Sequence, residues 1–117
     1  MNKDTKAYIM EKSKQLMDAP TCSKEAKLAA QSWLDAVDTD REQEVTHKYI
    51  AELEADIMPI DNLIAFASSE DGASYFGVDK AKDVAAHAAA IKSAGALYCD
   101  CPACTIVAEI LAKKEQM

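Results

Sequence analysis

The stretch SKEAKLAAQSWLDAV, residues 23–37, carries the pattern that decides the fold class. Its apolar residues recur at the three- and four-residue spacing of one helix face. Small alanines beside a single bulky indole suit helices that pack closely together. We therefore predict an amphipathic helix over 23–37 that buries Ala26, Ala29, Ala30, Trp33, Leu34 and Val37.

Similar spacing extends to both sides of this stretch, and helix-forming residues dominate throughout. This spacing predicts five further helices: at 4–18, from Thr39 or Asp40 toward Pro59, at 59–68, at 80–94 and at 102–115. Asp79 is the predicted cap of the helix at 80–94, and Gly95 follows its end. The helix at 59–68 can also continue the one before it, and the link 68–79 has room for a helical turn at GASYF. The chain is therefore predicted to be all-α, a compact bundle of five to six helices with short loops, in a single domain over residues 1–117.

Net charge and the lack of long apolar segments argue against several classes of function. The formal net charge is −7, which disfavours binding to nucleic acid or to an anionic membrane. The first residues, MNKDTKAYIMEKSKQLM, lack the apolar stretch of a signal peptide, and no segment has the length of a membrane span. We therefore expect a cytoplasmic protein with no nucleic-acid and no membrane partner.

Three of the four cysteines, Cys99, Cys101 and Cys104, fall within CDCPAC, and Cys22 lies far away in DAPTCSKEA. In a reducing compartment, clustered cysteines bind metal or perform redox chemistry more often than they form structural disulfides. A helix that begins at Pro102 makes Cys101 its N-cap and puts Cys104 at its third position. The helix N-terminus there favours the thiolate, which is the form that binds a metal.

Cys22 immediately precedes the helix at 23–37, so two helix starts can direct four sulfurs at one place. Four cysteines fit a tetrahedral Zn²⁺ ion and also an iron–sulfur cluster, and the sequence leaves the choice of metal open. His87, on the packed side of the helix at 80–94, is the alternative fourth ligand if Cys22 is too distant. Glu44 and His47 form a Glu-x-x-His pair on a highly charged, solvated helix face.

Two other functions compete with a metal-binding protein. Cys101 and Cys104 open a helix as a Cys-x-x-Cys pair, which favours a thiol–disulfide or cluster-based redox protein, although the βαβ context of thioredoxin-like proteins is missing. The second competing function is a metal-free interaction module, in which acidic faces of the helices contact a basic protein partner. No phosphate loop, dinucleotide fingerprint or nucleophile elbow is present, so the sequence leans against an enzyme and names no substrate.

At AELEADIMPIDNLIAFASSEDGASYFG (51–77) and GALYCDCPACTIVAEIL (95–111), the chain resembles a family of short, all-helical, cysteine-containing proteins of anaerobic bacteria. The resemblance extends to DAPTC (18–22). Members of that family often carry heat-shock or ninety-kilodalton chaperone-like names, but the ATP site of such a chaperone needs a large α/β domain with glycine-rich lid motifs. The resemblance implies that Cys22, Cys99, Cys101 and Cys104 belong together, and it brings no established activity.

Overall fold

The computed structural model describes residues 1–117 and contains seven α-helices, a short 3₁₀-helix and no strand apart from one isolated bridge. The helices are α1 (Lys3–Asp18), α2 (Lys24–Ala36), α3 (Glu42–Asp56), α4 (Ile60–Ala67), α5 (Glu70–Phe76), α6 (Val78–Ser93) and α7 (Pro102–Leu111), and the 3₁₀-helix is Lys114–Gln116. The all-α class is confirmed, and the helix count is seven where the sequence predicts five to six.

The additional helix is α5, in the segment predicted to be a link with one turn. Ser69 caps it, because its hydroxyl accepts a hydrogen bond from the N–H of Gly72 at 3.1 Å. Glu70 and Asp71 lie in its first turn, where the helix dipole favours negative charge. A serine cap followed by two acids is thus enough to begin a helix despite Gly72.

Two predicted N-caps are wrong. Arg41, not Thr39 or Asp40, is the N-cap of α3, since the Thr39 hydroxyl instead donates to the carbonyl of Ala36 at 2.6 Å and closes the turn after α2. Gly77, with φ of 90°, precedes α6, so Asp79 lies inside the first turn rather than capping the helix. Both helices therefore begin without a side-chain cap.

Contacts divide the chain into two compact units. The first unit, residues 1–57 and 100–117, contains α1, α2, α3 and α7. Its core is built around side chains that are almost or fully inaccessible: Ile9, Leu16, Trp33, Tyr49, Leu53, Val107 and Ile110. That residues 1–117 form a single domain stays a prediction.

Two hydrogen-bonded pairs of buried side chains lie in the core of the first unit. The Trp33 indole N–H donates to the Thr46 hydroxyl at 2.8 Å, and Thr46 donates onward to the carbonyl of Glu42 at 2.7 Å. The hydroxyls of Ser13 and Tyr49 lie 2.7 Å apart and share a hydrogen bond. Because unpaired buried polar groups are costly, these pairs select one register for α1, α2 and α3.

The second unit, residues 58–99, contains α4, α5 and α6 around a small core of Ile60, Leu63 and Ala88. Its two ends are hydrogen-bonded to each other: Cys99 N–H donates to the Met58 carbonyl at 2.8 Å, and Ile60 N–H donates to Leu97 at 2.9 Å. Gly95, with φ of 104°, ends α6 as predicted, with the paired hydrogen bonds of a Schellman motif.

None of the helices combines the length and the apolar character needed to cross a lipid bilayer.

Candidate metal site

The start of α7 has the geometry that the sequence predicts. Pro102 occupies the first helical turn and Cys101 is the N-cap, in extended conformation with φ of −62° and ψ of 160°. The backbone N–H of Cys104 donates to Cys101 Sγ at 3.4 Å, as the third residue of a helix does to its cap. Cys101 thus takes the place of the oxygen of a serine or aspartate cap, and the positive end of the helix favours charge on its sulfur.

Cys99, Cys101 and Cys104 form a cluster within one continuous stretch of six residues. Their Sγ atoms all lie within 4.8 Å of one another. All three side chains are partly buried, and no disulfide joins them. Three sulfurs at this spacing can hold a metal ion, which makes this three-cysteine cluster the candidate site.

Cys22 lies outside the three-cysteine cluster, directly before Ser23, the N-cap of α2. Its thiol donates to the Ser23 carbonyl at 3.5 Å. Burial raises the pKa of the Cys22 thiol, Asp56 and Cys101 raise it further, and Lys27 opposes them. Cys22 also packs against the core of the first unit, as Cys101 and Cys104 do.

Thr21 is a residue that the sequence analysis missed. Its hydroxyl oxygen accepts a hydrogen bond from the N–H of Ala103 at 3.0 Å and so satisfies a second donor in the first turn of α7. The contact joins the segment before α2 to the helix that carries Cys101 and Cys104. A threonine next to a turn proline and a candidate ligand is a signal for a side chain that bonds backbone groups.

Asp56, at the end of α3, is a second residue that the sequence did not point to. Its Oδ2 atom is buried and has no hydrogen-bond partner. Burial raises the pKa of Asp56, and the neighbouring Glu52 and Glu25 raise it further. Asp56 is also among the groups that raise the pKa of Cys22.

The two histidines lie outside the three-cysteine cluster. The sequence predicts His87 on the packed side of α6, and this is wrong: His87 is exposed, whereas the adjacent Ala88 is fully buried. The solvated face predicted for Glu44 and His47 is confirmed. Both are exposed, and Glu44 pairs with Lys48 at 3.2 Å.

The three sulfurs of the cysteine cluster can support two kinds of chemistry. Thiolates bind zinc and other ions that accept soft ligands, and a Cys-x-x-Cys pair at a helix start can also exchange with disulfides. Metal binding and disulfide exchange both need a thiolate, and the helix N-terminus and the Cys104 N–H each favour one at Cys101. No protein-family model, no curated protein and no solved structure matches this chain.

Proposed function

We propose that this protein is a small, acidic, cytoplasmic metal-binding protein in which Cys22, Cys99, Cys101 and Cys104 hold one zinc ion. The observation that carries the proposal is the spacing of the three local sulfurs, all within 4.8 Å of one another. Two of them lie at the start of α7, where backbone N–H groups and the helix dipole favour thiolates. A metal requires its cysteine ligands in that form.

The spacing of the sulfurs favours a single ion over an iron–sulfur cluster. Zinc–sulfur bonds of about 2.3 Å in a tetrahedron put the sulfur atoms about 3.8 Å apart. In a four-iron cluster each thiolate binds a different iron, so the sulfurs must spread farther apart. A small inward movement from the present spacing suffices for zinc, whereas a cluster needs the sulfurs to separate.

Cys22 is proposed as the fourth ligand because one hydrogen bond, a shared core and the charge of Cys101 support its closeness to α7. Thr21 accepts the Ala103 N–H at 3.0 Å. Cys22, Cys101 and Cys104 pack against the same core, and Cys101 contributes to the raised pKa of Cys22. His87 is the weaker alternative, because it is exposed on α6. The ligand set is therefore proposed as four cysteines.

The test is metal content and the ultraviolet–visible spectrum of protein purified without oxygen and without a nickel column. We expect one zinc per chain and no visible colour. If the protein contains iron and acid-labile sulfide instead, the site holds an iron–sulfur cluster, and electron transfer becomes the favoured function. Protein without either metal, and with no affinity for added zinc, would contradict the proposal and leave a metal-free interaction module.

Zinc removal and ligand substitution test the site further. Since zinc binds the folded chain, we expect a strong chelator to lower the melting temperature by about 10 °C. Cys22→Ser should weaken zinc binding at least tenfold, while the matched control His87→Ala should leave it unchanged. The opposite ranking of the two variants would make His87 the fourth ligand.

Thiol–disulfide exchange is the second candidate function, and the hydrogen bond from Cys104 N–H to Cys101 Sγ favours it. It predicts that metal-free protein reduces a small disulfide at a rate that depends on Cys101. A Cys104→Ala variant with full exchange activity would contradict it.

A further inference from the structure

The pair Cys101 and Cys104 is held in a geometry that suits a disulfide. Both residues belong to the first turn of α7, at the N-cap and the third helical position. The N–H of Cys104 already contacts Cys101 Sγ at 3.4 Å, and the two sulfurs are within 4.8 Å. A disulfide tolerates Cα atoms about 4.4–6.8 Å apart, which is the range of neighbouring positions on one helical turn. The bond can therefore form with little backbone movement.

The two sulfurs are not equivalent. Cys101 Sγ accepts the Cys104 N–H at the N-cap of α7, which makes it the attacking sulfur of the pair. Cys104 is fixed three residues away and is the resolving sulfur. Cys99 precedes the helix. Cys101 is only partly buried, so a small oxidant can reach its sulfur.

We propose that the zinc site is also a redox switch, in which a hydroperoxide joins Cys101 to Cys104 and thereby expels the metal. The inference rests on the zinc site proposed above. In the first step the Cys101 thiolate attacks a peroxide oxygen, the O–O bond breaks, and one water leaves after protonation. In the second step the Cys104 thiolate attacks the sulfenic sulfur, the S–O bond breaks, and the second water leaves.

The overall reaction balances. The zinc ion with its four thiolates, one hydrogen peroxide and two protons give the disulfide, two water molecules, free Zn²⁺ and two remaining thiolates, those of Cys22 and Cys99. The two sulfurs lose two electrons and the peroxide gains them. Two ligands are too few for a tetrahedral structural site, so oxidation and metal release are one event. A dithiol reductant with zinc restores the starting state.

The test uses the full chain loaded with one zinc and treated with one equivalent of hydrogen peroxide. Released zinc is measured with a coloured chelator, and alkylated protein is digested with trypsin. Cys22 falls in peptide 15–24, and the other three cysteines fall in peptide 93–113. We expect one zinc released per disulfide, peptide 93–113 lighter by two hydrogens, and alkylation at Cys99 and Cys22.

Two variants separate the roles of the sulfurs. Cys104→Ser should trap sulfenic acid at Cys101, detected with a dione reagent, and should form no disulfide. Cys99→Ser should bind zinc more weakly and still form the disulfide. Circular dichroism on both variants shows whether the helices persist, and the peptide map of the unaltered chain decides the bond even if one variant unfolds.

The outcomes distinguish this inference from the function on which it rests. Zinc that stays bound after peroxide treatment, or a disulfide that links peptide 15–24 to peptide 93–113, overturns the switch and leaves the zinc protein standing. A chain that binds no zinc at the outset overturns both. Zinc release with the disulfide inside peptide 93–113 and with Cys99 alkylated supports both, whereas a disulfide that includes Cys99 overturns the switch.

Discussion

The two units of this protein are specified by different physical means. The first unit buries Trp33 and Tyr49, stacked with ring centroids 5.6 Å apart, and pairs their polar groups with Thr46 and Ser13. The second unit has no fully buried aromatic ring, and its Tyr75 is 76% exposed. Yet it holds all three glycines of the chain. Side-chain shape and hydrogen bonding select the first structure, and backbone geometry at glycines selects the second.

The largest difference is expected from removing an aromatic side chain in each unit. Trp33→Ala should lower the free energy of unfolding by about 3–5 kcal/mol, because it leaves a large cavity in a fully buried place. Tyr75→Ala should lower it by only about 1 kcal/mol, because the exposed ring keeps edge-to-face contacts with Phe66 and Phe76. Urea unfolding followed by circular dichroism measures both values. Equal losses in the free energy of unfolding would contradict the claim that the two units are specified by different means.

In the second unit the sensitive position is a glycine. A Cβ at Gly72 would lie 1.9 Å from the carbonyl oxygen of Phe66, so Gly72→Ala must push the backbones of α4 and α5 apart. We expect a loss of up to about 3 kcal/mol in the free energy of unfolding.

Gly95→Ala is the matched control, because a Cβ there meets open space and only the positive φ opposes it. Its cost should be about 1 kcal/mol. Thermal melts of the two variants give the ranking. A larger loss at Gly95 would show that helix ending, not the close approach of α5 to α4, sets the stability of the second unit.

A subtler change tests the polar pairing of the first unit. Thr46→Val keeps the shape of the side chain and leaves the Trp33 indole N–H without its acceptor. The expected loss is about 2 kcal/mol, because a buried donor then lacks a partner. Thr46→Ser retains the hydroxyl and should recover more than half of that loss. If valine is tolerated as well as serine, shape alone specifies this core.

The last prediction is a pH dependence. Burial raises the pKa of Tyr49 to about 12, despite the hydrogen bond with Ser13, which lowers it. An unfolded tyrosine titrates near pH 10, so the neutral form stabilises the folded state. That contribution is complete below about pH 10 and is lost as the pH rises through about 12.

Alkaline titration of phenolate absorbance, with Tyr49→Phe subtracted from the unaltered chain, isolates this group. A difference curve centred near the ordinary pKa of tyrosine would show that the stacked pair is open to water. Tyr49→Phe should also flatten the loss of stability above pH 10.

Sequence periodicity was sufficient for most helices and for the start of α7, because Pro102 fixes the register in which Cys101 caps and Cys104 follows. It was insufficient where residues distant along the chain decide the outcome. The contact of Thr21 with Ala103 spans 82 positions and leaves no local pattern. His87 shares the helical spacing of Val84 and Ala88, but spacing alone does not tell the centre of a helix face from its margin.

The hydrogen-bonded ends of the second unit also bear on the order of folding. Joining Thr21 to Ala103 closes a loop of 82 positions, and the entropy lost in closing a loop grows with its length. Residues 58–99 contact one another as one compact unit and tie Met58 to Cys99. Once formed, they remove about half of that loop, which lowers the closure cost by about 0.6 kcal/mol. Early folding of the second unit therefore speeds the docking of α7 against α1.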